Sequence, residues 1–473
     1  MLDLAVLALY FAGMLAIGWF ARKSIHNEED FAVAGRRLGP LLYGGTMAAV
    51  VLGGASTVGG IGLGYAHGIS GMWLVVSIGL GVILVSLVFA GPIRRMRLLT
   101  VGEMLEARYG RAARLMTGSV MAVYTLLLCV VSTIACGSVL SAMFGIDRIV
   151  AMAIGGSVVL AYSTLGGMWS VTLTDIVQFA IKTVGIFLIM VPVALSRVGG
   201  LEGLSRSLPD SAFSPTAVGG DAIIAYVVTY VFGLVIGQDI WQRIATARTE
   251  RIARWAGAVS GVYCVFYGVA GALIGMCAKV LLPGIASRDQ VFSSMVLQVL
   301  PPGLSGLVTA AALAAIMSTA SGTLIASATV VDKDIVEALM RVKHGAEAEL
   351  RRSRFLLMGL GALAIGLACV MNDVVAALTI AYDILVGGLL VAIVGGLFWR
   401  RGNIQGAMAS MICGVGVTIG AMIVGGDIYA SLPIFLGIGS SLAAFLGVSL
   451  CFAAPASLEQ WDQRIGAASS MNI

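Results

Sequence analysis

Residues 53 to 60 read GGASTVGG and interrupt an apolar segment close to the middle of its passage through the bilayer. Glycine weakens a continuous helix, so this stretch predicts a broken membrane helix. A later apolar segment carries Gly233 and Gly237 at a similar depth. Two glycine-interrupted spans at corresponding places in two halves are typical of transporters built from inverted repeats, although close helix packing explains such glycines equally well.

Composition places the rest of the chain in a membrane. Of its 473 residues, 59% are hydrophobic and only 11% are charged, whereas soluble domains carry about 25% charged residues. Apolar runs of ~20 residues, the length that crosses a bilayer, recur from Leu2 almost to Ala453. The sequence therefore predicts an all-α integral membrane protein with about 13 transmembrane helices and excludes a water-soluble fold.

The basic residues indicate the orientation. If the amino terminus lies outside, all but six of the 29 Lys and Arg residues fall on the cytoplasmic side, as the positive-inside rule requires. The carboxyl terminus is then cytoplasmic, and we expect a multi-pass protein of the plasma membrane, of the bacterial inner-membrane type. The net charge of +5 and the clustering of basic residues beside the spans exclude a nucleic-acid partner. The lipid bilayer is the expected partner, and no obligate protein partner is evident.

Hydroxyl side chains cluster in a late apolar segment, where residues 314 to 323 read AAIMSTASGT. Adjacent Ser318 and Thr319 place two oxygens about 100° apart on a helix, and Ala315 offers a carbonyl one turn earlier. Neutral oxygens of this kind suit a hard cation such as sodium. The alternative is that each hydroxyl bonds back to a carbonyl of its own helix.

Three acidic residues lie in or near the hydrocarbon region, namely Asp175, Asp239 and Asp383. An intramembrane charge costs about 2.5 kcal/mol or more unless it is paired or hydrated, so such a residue suggests function. Asp383 is the costliest because it lies halfway through its segment. Lys182 follows Asp175 by two helical turns on the same face, too far for a direct pair. For Asp239 we expect a structural role, because residues 238–243 supply polar neighbours.

Several ordered motifs resemble those of the sodium:solute symporter family over nearly the whole chain, from about Glu29 to Arg401. The matching stretches are residues 29–37 (EDFAVAGRR), 99–110 (LTVGEMLEARYG), 162–167 (YSTLGG) with Thr174, Asp175 and Gln178, then Gln242 with Arg243, and 314–319 (AAIMST). The resemblance implies the leucine-transporter fold, in which ten core helices form two inverted five-helix repeats containing discontinuous helices.

The resemblance also divides the chain. It implies a first accessory helix and cytoplasmic loop at residues 1–40, a first inverted repeat at 41–195 and an external loop at 196–220. A second inverted repeat is expected at 221–398, and two accessory helices with a cytoplasmic tail at 399–473.

The family's sodium site falls, by resemblance, on the backbone carbonyls of Ala49 and Leu52 and on Ala315, Ser318 and Thr319. The resemblance thus favours the cation interpretation of the hydroxyl cluster.

Some family members have a second sodium site, built from an acidic residue and hydroxyls one turn beyond the first site. Asp175 and Ser321 match two of its positions, but Gly322 replaces another hydroxyl and Val51 stands where a polar side chain is often found. We therefore expect an incomplete second site, with Asp175 acting as a polar strut or a cation-transit group. Asp175, Ser321 and Asp383 are the candidates for a second cation or for coupling.

By resemblance, the substrate lies between the two broken helices. The candidates are Gly54, Ser56, Thr57, Tyr124, Tyr230, Phe232 and Gly233. Hydroxyls at Ser56 and Thr57 suit a polar substrate, and the aromatic rings suit a pocket wall, although an aromatic in an apolar helix more often simply packs. The second and fourth predicted spans contain no tryptophan for a cation-π cage, which argues against a quaternary ammonium substrate.

The expected function is sodium-coupled secondary symport, with sodium as the co-transported ion and a small polar organic solute imported by alternating access. One alternative is a proton-coupled or uncoupled carrier on the same fold, with Asp383 or Asp175 taking protons. Another is an ion channel, although no repeated filter-like loop is present. An enzyme is disfavoured, because the sequence contains no histidine cluster, nucleophile–base pair or phosphate loop.

Overall fold

The computed structural model describes residues 1–340, 345–371, 374–425, 432–454, 458 and 461–463. The helices of the first half are α1 (Leu2–Ala21), α2 (Glu28–Val33), α3 (Pro40–Val50), α4 (Gly60–His67), α5 (Trp73–Leu84), α6 (Ala90–Met96), α7 (Val101–Tyr109), α8 (Arg111–Phe144), α9 (Arg148–Thr183), α10 (Val191–Arg197) and α11 (Gly200–Ser207). Those of the second half are α12 (Gly220–Tyr226), α13 (Phe232–Ile236), α14 (Gln238–Thr246), α15 (Glu250–Leu281), α16 (Val291–Val299), α17 (Leu304–Val330), α18 (Ala338–Met340), α19 (Ala346–Val370), α20 (Val374–Phe398), α21 (Ile404–Gly425) and α22 (Leu432–Cys451). Five connecting segments are π-helical: Ala55–Gly59, Val85–Phe89, Val184–Met190, Val227–Val231 and Val331–Glu337.

The described residues contain ten helical runs long and apolar enough to cross a membrane, or 11 if one bent pair is a single span. The all-α membrane class is confirmed, but the predicted number of 13 is not. Two predicted boundaries fall inside the continuous runs Ala55–Met96 and Arg148–Arg197. The second run is kinked at Gly167, where φ is 49° and ψ is −140°. The predicted cytoplasmic tail beyond residue 463 lies outside the described residues.

Helix α17 is the central helix of the bundle. It packs against α1, α3, α8 and α9, and 94% of its most apolar stretch is buried. Its many Ala, Gly, Ser and Thr residues allow neighbouring backbones to approach closely. The outer helices instead expose large apolar side chains such as Phe355, Ile423 and Val424, as expected of surfaces that contact lipid.

The first interrupted span breaks where the sequence predicts. Helix α3 ends at Val50, and regular helix resumes only after Gly53 and Gly54. A Cβ atom at Gly53 would lie 2.7 Å from Thr319 Oγ1, and one at Gly54 would lie 2.4 Å from Ala135 Cβ. The two glycines therefore let the break approach α17 and α8 more closely than a larger residue permits.

The second interrupted span also breaks at a predicted glycine. Gly237 separates α13 from α14 with extended backbone angles, φ −63° and ψ 128°. The helical run on one side of this residue is inclined by 47° to α14 on the other. Both breaks thus lie inside the bundle, where backbone groups that leave the helical pattern face protein rather than lipid.

Candidate functional site

Carbonyl oxygens at the end of α3 meet two hydroxyls of α17. Ser318 Oγ lies 2.9 Å from the carbonyl oxygen of Ala49 and 2.8 Å from that of Ala315, and can donate to either. Thr319 Oγ1 lies 2.6 Å from the carbonyl oxygen of Val50 and 3.5 Å from that of Ala315. We call this set of oxygens the cation cluster. Several neutral oxygens converging in a buried place are the ligands that a hard cation prefers.

Four of the five predicted sodium ligands therefore lie together, namely Ala49, Ala315, Ser318 and Thr319. The fifth, Leu52, adjoins them through its amide, which donates to the Ala49 carbonyl at 3.3 Å. Val50 supplies a carbonyl that the sequence did not single out. Consecutive carbonyls at a helix end differ only in direction, and that direction depends on how the break is folded.

A buried lysine contacts the same carbonyls. Lys182 Nζ donates to the carbonyl oxygen of Ala48 at 2.9 Å and to that of Ala49 at 3.3 Å. Its side chain lies at 0% exposure. The sequence places Lys182 within a span but does not predict its hydrogen-bond partners, because these contacts depend on how α9 packs against α3.

The residues proposed for a second cation surround an ion pair. Asp175 accepts hydrogen bonds from Thr46 Oγ1 and from Arg243 Nη2, the second at 3.1 Å. The side chains of Asp175 and Arg243 are 0% and 1% exposed. Ser321 Oγ donates to the carbonyl of Ser318 at 3.1 Å, within its own helix. One oxygen of the carboxylate expected at a second cation site, Oδ2, thus already contacts a guanidinium, whereas Oδ1 is buried without a hydrogen-bond partner among the described residues.

Gly322 provides the room that this guanidinium occupies. A Cβ atom at residue 322 would lie 2.8 Å from Arg243 Nη2 and 2.5 Å from Val50 Cγ2. A side chain at this position cannot coexist with the present placement of Arg243. The glycine that interrupts the expected hydroxyl pattern therefore has a local steric reason.

A cavity of about 40 Å³, here called the central cavity, lies between the two broken spans. Its polar and aromatic lining consists of Ser56, Ser132, Tyr230, Asp239, Thr319 and Tyr382, with the backbone of Gly53 and Gly54. Thr319 belongs to both the cavity wall and the cation cluster. A bound solute and a bound cation would therefore be neighbours, separated by one side chain.

Three predicted substrate residues, Gly54, Ser56 and Tyr230, line the central cavity. Tyr124 lies one layer behind it, where its hydroxyl donates to Asp239 Oδ1 at 3.2 Å. Tyr124 therefore positions a residue of the wall instead of forming the wall itself.

The other three predicted substrate residues point elsewhere. Thr57 Oγ1 shares a hydrogen bond of 2.9 Å with the hydroxyl of Tyr267. Phe232 is 37% exposed on the outer side of its helix. Gly233 packs against the ring of Tyr382, which a Cβ atom there would approach to 2.4 Å. These three residues are close in sequence to residues that line the cavity, but Thr57 and Gly233 contact neighbouring helices and Phe232 is partly exposed.

The sequence analysis missed two residues of the cavity wall, Asp239 and Tyr382. Asp239 was assigned a structural role, yet its carboxylate lines the cavity at 6% exposure. The extended backbone at Gly237, two residues earlier, turns it inward, and that glycine was the available signal. In α20, Tyr382 lines the cavity, and its ring packs edge-on against Tyr124 and Tyr230. The next residue, Asp383, which the sequence suggests for a second cation or for coupling, is buried at 2% exposure.

A wider cavity of about 450 Å³, here called the vestibule, adjoins the central cavity. The two share Ala55 and Tyr230 in their walls. The vestibule extends past Tyr226 to residues 286–289, in the connection between α15 and α16. The two cavities therefore meet beside Ala55 and Tyr230.

The opposite end of the bundle is closed by charged residues, which we call the ion-pair cluster. Arg114 contacts Asp334 at 3.0 Å and Glu106 at 2.7 Å, while Lys333 contacts Glu28 at 2.7 Å and Glu337 at 2.9 Å. Thr100 Oγ1 also donates to Asp334 at 2.7 Å. These contacts join α2, α7 and α8 to the segment that continues α17.

Comparison with known proteins gives matches across most of the chain. A family model described as the sodium:solute symporter family matches residues 31–414. The osmoregulated proline transporter OpuE of Bacillus subtilis (strain 168) is 26% identical over 435 residues, which cover 87% of this chain and 87% of that protein. The sodium/proline symporter of Escherichia coli (strain K12) is 25% identical over 432 residues, covering 87% and 86%.

A solved structure shares the fold. It is the substrate-bound outward-open state of a Na⁺-coupled sialic acid symporter, which superposes with a TM-score of 0.85 at 20% identity. The match covers 96% of this chain and 98% of that chain.

Proposed function

Because the chain belongs to the sodium:solute symporter family, it is a sodium-coupled symporter of small organic solutes, and we propose that one sodium ion binds at the cation cluster. The observation that carries this proposal is the 2.9 Å contact between Ser318 Oγ and the Ala49 carbonyl, which links the broken span to α17. When sodium binds, the Ser318 hydroxyl keeps its proton and turns it away from the Ala49 carbonyl, so that both oxygens can face the ion.

Coupling follows from the position of the cation cluster. A sodium ion held by both α3 and α17 stabilises the conformation in which these helices are together, and thereby the adjacent wall of the central cavity. Sodium can drive the cycle only through a higher affinity for one conformation than for the other. Thr319, shared by the cluster and the cavity, is the direct link between ion and solute.

We propose a single coupled sodium ion, since the charge of Asp175 is already paired with the Arg243 guanidinium through Oδ2. Asp175 then acts as the strut that the sequence analysis expects, with Ser321 bonded within its own helix. Measuring sodium and solute uptake together gives the stoichiometry, and two sodium ions per solute would contradict this assignment.

We propose that the inverted repeats occupy residues 41–195 and 221–398, each beginning with one of the two broken spans. The amino terminus then lies outside and the vestibule opens to the exterior, since residues 286–289 belong to an external connection in the orientation that the basic residues favour. Labelling of Ser287→Cys from inside, but not from outside, by a membrane-impermeant maleimide would overturn this orientation.

For the solute, we propose a small molecule that carries a protonated amine, such as an amino or imino acid. Asp239 supplies a buried carboxylate to the central cavity and is oriented by Tyr124. The helix that restarts after Gly54 directs its positive end at the same cavity, which suits a solute carboxylate. Two of the similar proteins are named for transport of proline. Proline carries both an amine and a carboxylate.

Uptake into proteoliposomes under a sodium gradient tests this assignment with matched solutes. We expect proline to be transported, cyclopentanecarboxylate to fail because it lacks the amine, and pyrrolidine to fail because it lacks the carboxylate. Asp239→Asn should weaken proline transport about 10- to 150-fold, the effect of losing a charged hydrogen bond of about 1.5–3 kcal/mol. The control Asp210→Asn, on an exposed loop, should behave as wild type. Equal transport of proline and cyclopentanecarboxylate would contradict the proposal.

A further inference from the structure

Lys182 is a buried cation that the transport mechanism above does not use. It lies at the end of α9, immediately before the π-helical segment Val184–Met190. Its side chain is completely buried, and its ammonium donates to the carbonyl oxygens of Ala48 and Ala49, at 2.9 Å and 3.3 Å. A positive charge therefore already rests on the end of the broken helix.

Burial of an ammonium requires strong compensation, because removing an ion from water costs several kcal/mol even after relaxation. Asp175 is the acidic residue two turns earlier on the same helix, but its Oδ2 is engaged by Thr46 and Arg243. The hydrogen bonds that Lys182 makes among the described residues go to the two carbonyls. The end of α3 is thus shaped to hold a cation, and Lys182 is the cation that it holds.

The carbonyl of Ala49 belongs to both arrangements. It contacts Ser318 Oγ at 2.9 Å, on the side of the cation cluster, and Lys182 Nζ at 3.3 Å. Two unit charges about 4 Å apart repel each other by about 4 kcal/mol at an effective dielectric constant of about 20. Sodium and the ammonium consequently cannot both bind this carbonyl without a large loss of affinity.

We propose that the Lys182 ammonium is a tethered competitor of sodium, which occupies the Ala48 and Ala49 carbonyls in the sodium-free transporter and leaves Ala49 when sodium binds. This inference rests on the proposed sodium site and adds an internal ligand to it. The apparent sodium affinity is the intrinsic affinity reduced by the fraction of molecules in which Lys182 has left the carbonyls. When sodium departs, the ammonium returns and replaces the lost charge, so the broken helix never faces an empty cluster of carbonyl dipoles.

Sodium titration of the purified full-length protein in lipid nanodiscs tests the competition. Thermal stability is measured against sodium chloride at one fixed pH, with choline chloride keeping the ionic strength constant, since a ligand stabilises according to its occupancy. Lys182→Met, which keeps the length and removes the charge, should lower the sodium concentration for half-maximal stabilisation at least about fivefold. Lys279→Met removes an exposed lysine and should leave the midpoint unchanged. An unchanged or weaker sodium affinity in Lys182→Met overturns the proposal.

A measurement on the wild-type protein covers the case in which the variant does not fold. Structures determined in sodium and in choline should differ at Lys182, with Nζ beyond hydrogen-bond distance of the Ala49 carbonyl only in sodium. Density for sodium at the cluster with Nζ still bonded to Ala49 would refute the competition.

If sodium stabilises the protein equally after Ser318→Ala with Thr319→Ala, the proposed sodium site itself is wrong. If that double substitution abolishes the effect while Lys182→Met fails to raise affinity, only the competition is wrong.

Discussion

Ser318 and Thr319 each contribute one hydroxyl oxygen to the cation cluster, and Thr319 also lines the central cavity. Replacing both by alanine removes the two hydroxyl oxygens and, of the apolar atoms, only the Thr319 methyl group. Loss of these contacts should cost roughly 1–3 kcal/mol, which corresponds to about 5- to 150-fold weaker apparent sodium affinity. The measurement is the sodium concentration that gives half-maximal solute uptake in proteoliposomes.

Ser321→Ala is the matched control for this prediction. Its hydroxyl bonds to the Ser318 carbonyl of its own helix, so its loss should shift the sodium concentration much less. An equal shift in the two variants would mean that Ser321 is also a sodium ligand. An unchanged activation curve in the double variant would remove Ser318 and Thr319 from the sodium site.

At the scale of residues, the sequence shows which side chains in a span carry oxygen atoms. It does not show which groups of other helices those oxygen atoms contact. Ala49, Ser318 and Thr319 could be named in advance, because their positions within two motifs are sufficient. The contact of Lys182 with the Ala49 carbonyl could not, since it joins residues more than 130 positions apart. For Asp239, the polar neighbours in its own segment suffice to explain a structural role, and the sequence does not show that this residue lines the central cavity. Only the bend at Gly237 turns it inward.

At the scale of elements, the break in the first span should be essential for transport. Replacing Gly53 and Gly54 by leucine would place side chains within 2.7 Å of Thr319 and 2.4 Å of Ala135 and favours continuous helix by up to about 1 kcal/mol per site. The Ala49 carbonyl would then be consumed by helical hydrogen bonding. We expect the variant to insert but not to transport, and the measurement is uptake per folded molecule.

Gly13→Leu in α1 is the matched control, because a Cβ atom there meets no other atom within 4 Å. It should retain normal uptake per folded molecule. Near-normal uptake in the variant with both leucines would contradict a functional break and favour simple helix packing.

The positions of both breaks could be predicted from glycine alone. The predicted number of 13 spans is not confirmed, because helices that run together across a kink leave no mark in composition.

At the scale of the whole molecule, the vestibule and the ion-pair cluster mark an open and a closed end. Asp334 is the central anion of the closed end, where α7 and α8 pack against it through Gly102 and Gly118. Asp334→Asn removes the charge that holds Arg114 and should shift the population toward the oppositely open conformation. A coupling of about 1–3 kcal/mol predicts a shift of about 5- to 150-fold.

The rate at which a water-soluble maleimide labels Thr329→Cys measures this shift, because Thr329 is buried between the cation cluster and Asp334. Labelling should accelerate with Asp334→Asn. The parent protein without Thr329→Cys provides the background from its exposed native cysteines. Arg400→Gln, which breaks an exposed ion pair with Asp462, should have no effect. Equal labelling with and without Asp334→Asn would show that the ion-pair cluster does not control access.

The steric relation between Gly322 and Arg243 also restricts how this transporter can evolve. A serine at 322 brings a Cβ atom to 2.8 Å from the guanidinium and 2.5 Å from Val50 Cγ2, so both side chains must shift before the serine can be accommodated. Loss of the arginine first leaves Asp175 buried without its partner, a change that typically costs 3–5 kcal/mol. Either order of substitution passes through a less stable ancestor. Residues 322 and 243 are therefore expected to change together rather than one at a time.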